Sequence, residues 1–218
     1  MGDDLMVVDA ARVSFDKKSE WESDFNEEVL KESDKKLIQY LAENGHWTPF
    51  AHPQIQVRMT VPIFVANQLK RHQIGLAVNE VSRRYVDDEP EFYIPTEWRA
   101  RPDKSIKQGS SDEIITEFIS GPNQYITLSE GYESSIMEAL NCYQGMIEAG
   151  VAPEMARMVL PQSMFTSWIW TGSLMAFLRI YQQRSDPHAQ KESQEIARQL
   201  KEIIQPLFPV SWAAWFEW

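Results

Sequence analysis

The chain has 218 residues and a formal net charge of −11, with 43% hydrophobic and 11% aromatic residues, and with no Gly/Ser-rich linker it reads as a single domain over residues 1–218. The acidic balance excludes a broad duplex nucleic-acid surface, and no apolar run approaches the ~20 residues that a membrane helix needs. The N-terminus MGDDLMVVDAARVSF lacks the basic and apolar regions of an export signal, so the expected location is the cytoplasm.

Val7 to Phe15, mixing β-branched and small residues, reads as a short strand, and the polar, acidic Ser19 to Ser33 as a surface loop with a helical turn. Asp34 to Asn44 is a helix: Leu37, Ile38, Leu41 and Ala42 keep its period, and Gly45 stands where a C-cap is expected. Ile55, Val57, Met59 and Val61 alternate with polar neighbours, the pattern of a half-buried strand. Pro62, harmless in a first helical turn because its N–H is not needed there, opens a helix to His72. That helix carries Gln68, Arg71 and His72 near its end, with Gln68 and Arg71 on one face. Asp87 to Gly131 is rich in Pro, Ser, Asp and Gly and reads as a surface excursion. Helices follow over Tyr132 to Ala149, Pro153 to Val159, Trp170 to Arg184 and His188 to Ile204. The aromatic tail from Trp212 to Trp218 is expected to pack on the core or on another subunit. One sheet covered by helices, an α+β fold, accounts for this order.

The single cysteine, Cys142, excludes an internal disulfide and a Cys-based zinc site. Ile136, Leu140, Tyr143 and Ile147 recur around it at helical spacing, so it is expected to be a buried structural thiol. His46, His52, His72 and His188 lack metal-binding spacing, and no metal site is expected. No GxGxxG or Walker A stretch is present.

The stretch KRHQIGLAVNEVSRRY, Lys70 to Tyr85, gathers Lys70, Arg71, His72, Arg83 and Arg84 inside this acidic chain. Between the basic clusters lie Gln73, Asn79, Glu80 and Ser82, which can hydrogen-bond a heterocycle while guanidinium groups hold a phosphate. A nucleotide phosphate with a read base fits this pattern; a solvated or internally paired surface is the alternative. Arg157, three residues after Glu154, either binds an anion, pairs with that carboxylate or snorkels to solvent. Arg184, near a helix C-terminus, is either a ligand group or a cation placed for the helix dipole.

RHQ at Arg71 to Gln73 and NEVSRRY at Asn79 to Tyr85 resemble the signature of the flavin-dependent thymidylate synthases. That signature reads Arg-His-Arg, seven residues, then Ser, with Asn-Glu-x-Ser-x-Arg-Tyr at its end. Further blocks in family order are AARVSF from Ala10, GHWTPFAH from Gly45, PIFVANQLKRH from Pro62, ARMVLP from Ala156 and RSDPHAQ from Arg184. Two departures stand out: Gln73 replaces the signature's second Arg, and eight residues, Ile74 to Val81, precede Ser82.

The resemblance implies an α+β domain with a mainly antiparallel sheet, assembled as a homotetramer with active sites at subunit interfaces. It implies FAD-dependent reductive methylation of dUMP to dTMP, with methylenetetrahydrofolate as carbon donor and NADPH as reductant, without a cysteine nucleophile. Gln68, Arg71, Glu80, Ser82, Arg83, Arg84, Arg157 and Arg184 match the positions that bind dUMP. His46, Thr48, Arg71, His72, Gln73, Glu80, Ser173 and Arg179 match those that touch FAD. Arg184 and Ser82 carry the catalytic expectation, Arg184 against the ionised uracil and Ser82 as a donor to phosphate or base. Two other readings are a non-catalytic nucleotide-binding relative and a flavin oxidoreductase acting on another pyrimidine.

Overall fold

The computed structural model describes residues 2–24, 27–86, 88–103, 109–119 and 125–217. In chain order come α1 (Asp4–Arg12), a hairpin of β1 (Glu22–Asp24) and β2 (Glu27–Val29), α2 (Glu32–Glu43), β3 (Gln54–Pro62), α3 (Ile63–Leu69) and β4 (Leu76–Glu80). A second hairpin, β5 (Glu117–Ile119) and β6 (Tyr125–Thr127), leads to α4 (Leu128–Glu148) and α5 (Pro153–Ala156). Then follow β7 (Phe165–Ser173), α6 (Leu174–Arg184), α7 (Lys191–Ile204) and α8 (Pro209–Phe216). Short 3-10 turns occupy Val13–Phe15, Thr48–Ala51 and Arg157–Val159. The fold class is α+β, and among the described residues no helix is long and apolar enough to cross a membrane.

Three strands form one sheet in the order β3-β7-β4. Gln56 Nε2 donates to Thr171 Oγ1, and Thr60 pairs with Ser167, so β3 and β7 run antiparallel. Ser173 N donates to Gly75 O and Val81 N to Ser167 O, which makes β7 and β4 antiparallel too. β3 buries Ile55, Val57, Met59 and Val61 and exposes the residues between them, as its alternation predicts. The helix expected from Trp170 to Arg184 is corrected at its start: Thr166, Trp168 and Trp170 are the buried alternates of β7. Ser173 ends that strand and caps α6, its Oγ accepting from Ala176 N at 3.3 Å.

Gly172 of β7 is required by close approach, since a Cβ there would lie 2.4 Å from Leu76 Cδ2 and 2.8 Å from Gly75 O. Gly172→Ala is expected to cost about 1–3 kcal/mol of stability by overpacking, read as a lower denaturation midpoint. Trimming Leu76 to Ala in the same chain should relieve only part of it, because the Gly75 carbonyl remains.

The chain forms two compact units. The first comprises Met1–Val57, Arg71–Val78 and Ile169–Trp218. Here the strand expected at Val7 to Phe15 is instead α1 and its trailing 3-10 turn. The Asp3 side chain caps α1 by accepting from Met6 N, and Val7 and Val8 are fully buried, so burial and a cap override β-branching. Ser19 to Ser33, expected as a surface loop with a helical turn, holds the β1–β2 hairpin, which was not expected, and the first residues of α2. α2 packs on α8, and α6 on α7. Asp34, fully buried at the start of α2, accepts from Arg12 Nε at 3.1 Å, from a second Arg12 nitrogen and from Ser19 Oγ. The tail packs inward: Trp212 is fully buried, Trp215 meets Phe50 edge-on, and Tyr181 lies against Trp212 and Phe216; Trp218 is outside the described residues.

The second unit comprises Arg58–Lys70 and Asn79–Trp168. Pro62 is extended and serves as the N-cap of α3, not as its first helical residue. The bare donors of Ile63 and Phe64 are taken up by the carbonyls of Met164 and Gln162. α3 ends at Leu69, with Lys70 as its C-cap, so the expected helical placement of Arg71 and His72 is corrected: both follow the helix, and Gln68 and Arg71 share no helical face. In the excursion over 87–131, residues 87, 104–108 and 120–124 lie outside the described residues. The described remainder is largely irregular, pinned by bridges Phe92–Met164 and Arg99–Ile114. α4 starts at Leu128, earlier than expected, because Thr127 and Glu130 form a capping box.

Cys142 is exposed, which corrects the expected burial. The buried stripe of α4 is Ile136, Leu140 and Tyr143, and Cys142, one residue before Tyr143, falls about 100° off it.

Candidate active site

In the second unit a cavity of about 790 Å³ opens at the end of β4, lined by Glu80 and Val81, by Ser82 to Arg84 of the turn that follows, by Arg157 and Met158, and by Phe165 to Ser167 of β7. Its size falls in the range of small-ligand sites. Tyr85 N and Val86 N both donate to Ser82 O, at 3.0 and 3.2 Å, and the tight turn this makes turns Ser82, Arg83 and Arg84 toward one place. Ser82 Oγ accepts from Arg84 N and Arg84 Nε, each at 3.3 Å. With its lone pairs so used, the hydroxyl proton is the part of Ser82 left to serve a ligand. Among the described residues no imidazole or carboxylate hydrogen-bonds Ser82 Oγ, so nothing there prepares it as a nucleophile.

The three arginines of this cavity are held by neutral groups. Arg83 donates to the Asp88 carbonyl, Arg84 sits 5.0 Å from the Tyr85 ring centroid, and Arg157 Nε donates to the Glu154 backbone carbonyl at 3.2 Å. Of the alternatives for Arg157, pairing with the Glu154 carboxylate is therefore not what the fold adopts. Among the described residues no carboxylate ion-pairs with any of the three. Three guanidinium groups border a hollow that Glu80, Asp88, Glu89 and Glu91 also line, and, ion-paired with none of the described acids, they are placed to receive an anion. The acid of the motif, Glu80, is already engaged: Lys70 ion-pairs with its Oε1, and Thr166 Oγ1 donates to the same oxygen at 2.7 Å.

In the first unit a smaller hollow of about 370 Å³ is lined by Arg71, His72, Gln73, Ile74 and Leu76, and by Ala176, Arg179 and Gln183 of α6. The Arg179 guanidinium lies 5.4 Å from the Trp47 ring centroid. Arg184, in the last turn of α6, donates from Nε to His72 Nε2 at 3.0 Å. An Nε2 that accepts puts the imidazole proton on Nδ1 and keeps the ring neutral. Burial, and secondarily the charge of Arg184, hold His72 below its ordinary pKa; burial likewise lowers that of Arg184.

The expected site residues thus fall into two groups. Glu80, Ser82, Arg83, Arg84 and Arg157 meet at the larger cavity, and Arg71, His72, Gln73 and Arg179 at the smaller, with Arg184 attached through His72. Gln68 is outside the lining of the cavity in its own unit, and its Nε2 reaches Phe64 O at 3.5 Å. Ser173 is buried and caps α6; His46 packs edge-on against Tyr40 at 5.8 Å, and Thr48 begins a 3-10 turn. Neither His46, Thr48 nor Ser173 lines the smaller hollow. Sequence reasoning missed Thr166, whose alternation with Trp168 and Trp170 was the available signal.

Over residues 1–210 the sequence matches the family model described as "Thymidylate synthase complementing protein". A flavin-dependent thymidylate synthase of Kosmotoga olearia is 38% identical over 218 residues, covering 98% of this chain and 86% of that relative. One from Thermosipho africanus is 37% identical over 217 residues, covering 100% and 88%. The chain belongs to the flavin-dependent thymidylate synthases. Among solved structures, the UMP/dUMP methylase PolB of Streptomyces cacaoi bound with 5-Br dUMP aligns with a TM-score of 0.73 at 28% identity, covering 98% of this chain and 90% of that one. In this flavin-dependent thymidylate synthase Gln73 brings an amide to the smaller hollow, at the position where the resemblance led to an expected Arg.

Proposed function

We propose that the chain catalyses the reductive methylation of dUMP to dTMP, using FAD, methylenetetrahydrofolate as carbon donor and NADPH as reductant. The observation that carries this is the trio Arg83, Arg84 and Arg157, set around one cavity and lacking carboxylate partners among the described residues. They hold the nucleotide phosphate, Ser82 gives its hydroxyl proton to phosphate or base, and Glu80 accepts from a neutral donor of the nucleoside. Arg184 stabilises the uracil ring as it gains negative charge, a role suited to a guanidinium whose plane is fixed before substrate arrives. The protein works as a homotetramer in the cytoplasm, and sites at subunit interfaces draw residues from more than one copy.

The smaller hollow fits the anionic part of FAD: Arg71 and Arg179 offer guanidinium donors, and His72 and Gln73 offer neutral ones. When bound, FAD supplies the hydride chemistry that no side chain possesses. His72, kept neutral with its proton on Nδ1, donates there without adding charge.

Cys142 lines neither cavity, and Cys142→Ala is expected to leave dTMP formation unchanged. Loss of activity in that variant, with folding intact, would show that a thiolate takes part. The overall reading is tested by mixing purified FAD-loaded protein with dUMP, methylenetetrahydrofolate and NADPH and measuring dTMP, and by rescue of a thymidine-requiring cell. Replacing dUMP by UMP in that assay tests a second reading, use of the ribonucleotide, favoured by the structural neighbour's name as a UMP/dUMP methylase.

A further inference from the structure

We infer that Lys70 is a positioning residue for the nucleotide site, acting through Glu80; this rests on the dUMP reading above. Lys70 closes α3 as its C-cap, and its chain is held on the face of Trp168, with Nζ 4.9 Å from the ring centroid. Trp168 is buried in β7, so the ring under Lys70 is packed in the core. From it Nζ ion-pairs with Glu80 Oε1, and buried Thr166, two residues earlier on the same strand, donates to that oxygen as well. Among the described residues the contacts to Glu80 all fall on Oε1, so the carboxylate is gripped by one oxygen and presents the other.

Two consequences follow for a nucleotide in the cavity. A carboxylate pinned by two donors from rigid elements offers Oε2 in one orientation to a neutral donor, a ribose hydroxyl or the uracil N3–H. The cavity is also lined by Asp88, Glu89 and Glu91, and the Lys70 charge cancels that of Glu80, so that the three arginines act on the phosphate dianion with one less opposing charge.

The test titrates FAD-loaded protein with dUMP by calorimetry and follows KM and kcat in parallel. Lys70→Met is expected to weaken dUMP binding and raise KM about tenfold, as one added like charge at a partly solvated site would. The change in kcat should stay within about twofold, the mark of lost uniform binding. Lys70→Arg restores binding. In a Glu80→Gln chain, where no charge is left to cancel, Lys70→Met should add less than about twofold, so the pair is strongly non-additive. Lys70→Gln gives the same test with a smaller loss if Lys70→Met does not fold. A lowered melting temperature with unchanged dUMP binding, or additive losses, overturns the role of Lys70. Wild-type protein that does not bind dUMP overturns the nucleotide reading itself and this inference with it.

Discussion

Arg184→Ala is expected to cut dTMP formation about 10²–10³-fold, the loss seen when one preorganised electrostatic donor is removed from an active site. The guanidinium ends α6, a helix whose other residues are largely buried, and its Nε is committed to His72, so its direction is set by the fold before any ligand binds. Lysine at this position should recover little, because an ammonium cannot donate to the imidazole and present a planar fork together. The same substitution has a second readout that needs no substrate. His72 is held below its ordinary value of 6.5 first by burial and then by the Arg184 charge. The unfolded chain therefore takes up this proton more readily than the folded one, and the stability supplied by neutral His72 is complete above about pH 6.5 and lost as pH falls toward the folded value. In wild-type protein the His72 resonance should titrate with a midpoint below 6.5; in Arg184→Ala it should rise toward 6.5 and not pass it, since burial remains. A midpoint that does not move would show that Arg184 and His72 are not coupled.

The largest loss of stability is expected from Asp34→Ala, about 3 kcal/mol, the lower end of what breaking a buried ion pair costs. Asp34 is fully buried and gathers two nitrogens of Arg12 and the hydroxyl of Ser19 at the first turn of α2. The figure is set at the lower end because the Arg12 side chain keeps 25% of its surface in water and can turn outward once released. A fall in melting temperature of about 6–12 °C follows for a chain of this length. Activity per folded molecule should be unchanged, since none of the three groups lines either cavity. A shift under about 2 °C would mean that water replaces the carboxylate at little cost.

What the sequence made legible follows from how local each cause is. β3 announces itself because Ile55, Val57, Met59 and Val61 alternate with exposed residues, and α2 because its apolar stripe and Gly45 agree. α1 hides behind Val7 and Val8, whose β-branching argues for strand while the deciding facts, the Asp3 cap and complete burial, depend on the fold. β7 runs without a break into α6, and the apolar residues on both sides of Ser173 blur a change of period that the serine cap marks. The basic stretch around Arg71 and Arg84 was visible as composition. That it feeds two hollows was not, because this depends on α3 stopping at Lys70 and on Gly75, at φ +75°, turning the chain into β4. The partners of Glu80 were invisible for the same reason: Lys70 and Thr166 are brought to it by a helix end and a strand far apart in the chain.

Asp4 accepts from Val210 N at 2.8 Å, from Ser211 N at 2.9 Å and from the Ser211 hydroxyl, so a carboxylate of the first helix completes the start of the last one. During synthesis α1 must wait for α8, far along the chain, before this clasp can close, and until then α1 lacks its counterpart. Amide protons at Val210 and Ser211 should accordingly exchange with solvent when α1 lifts away from the start of α8.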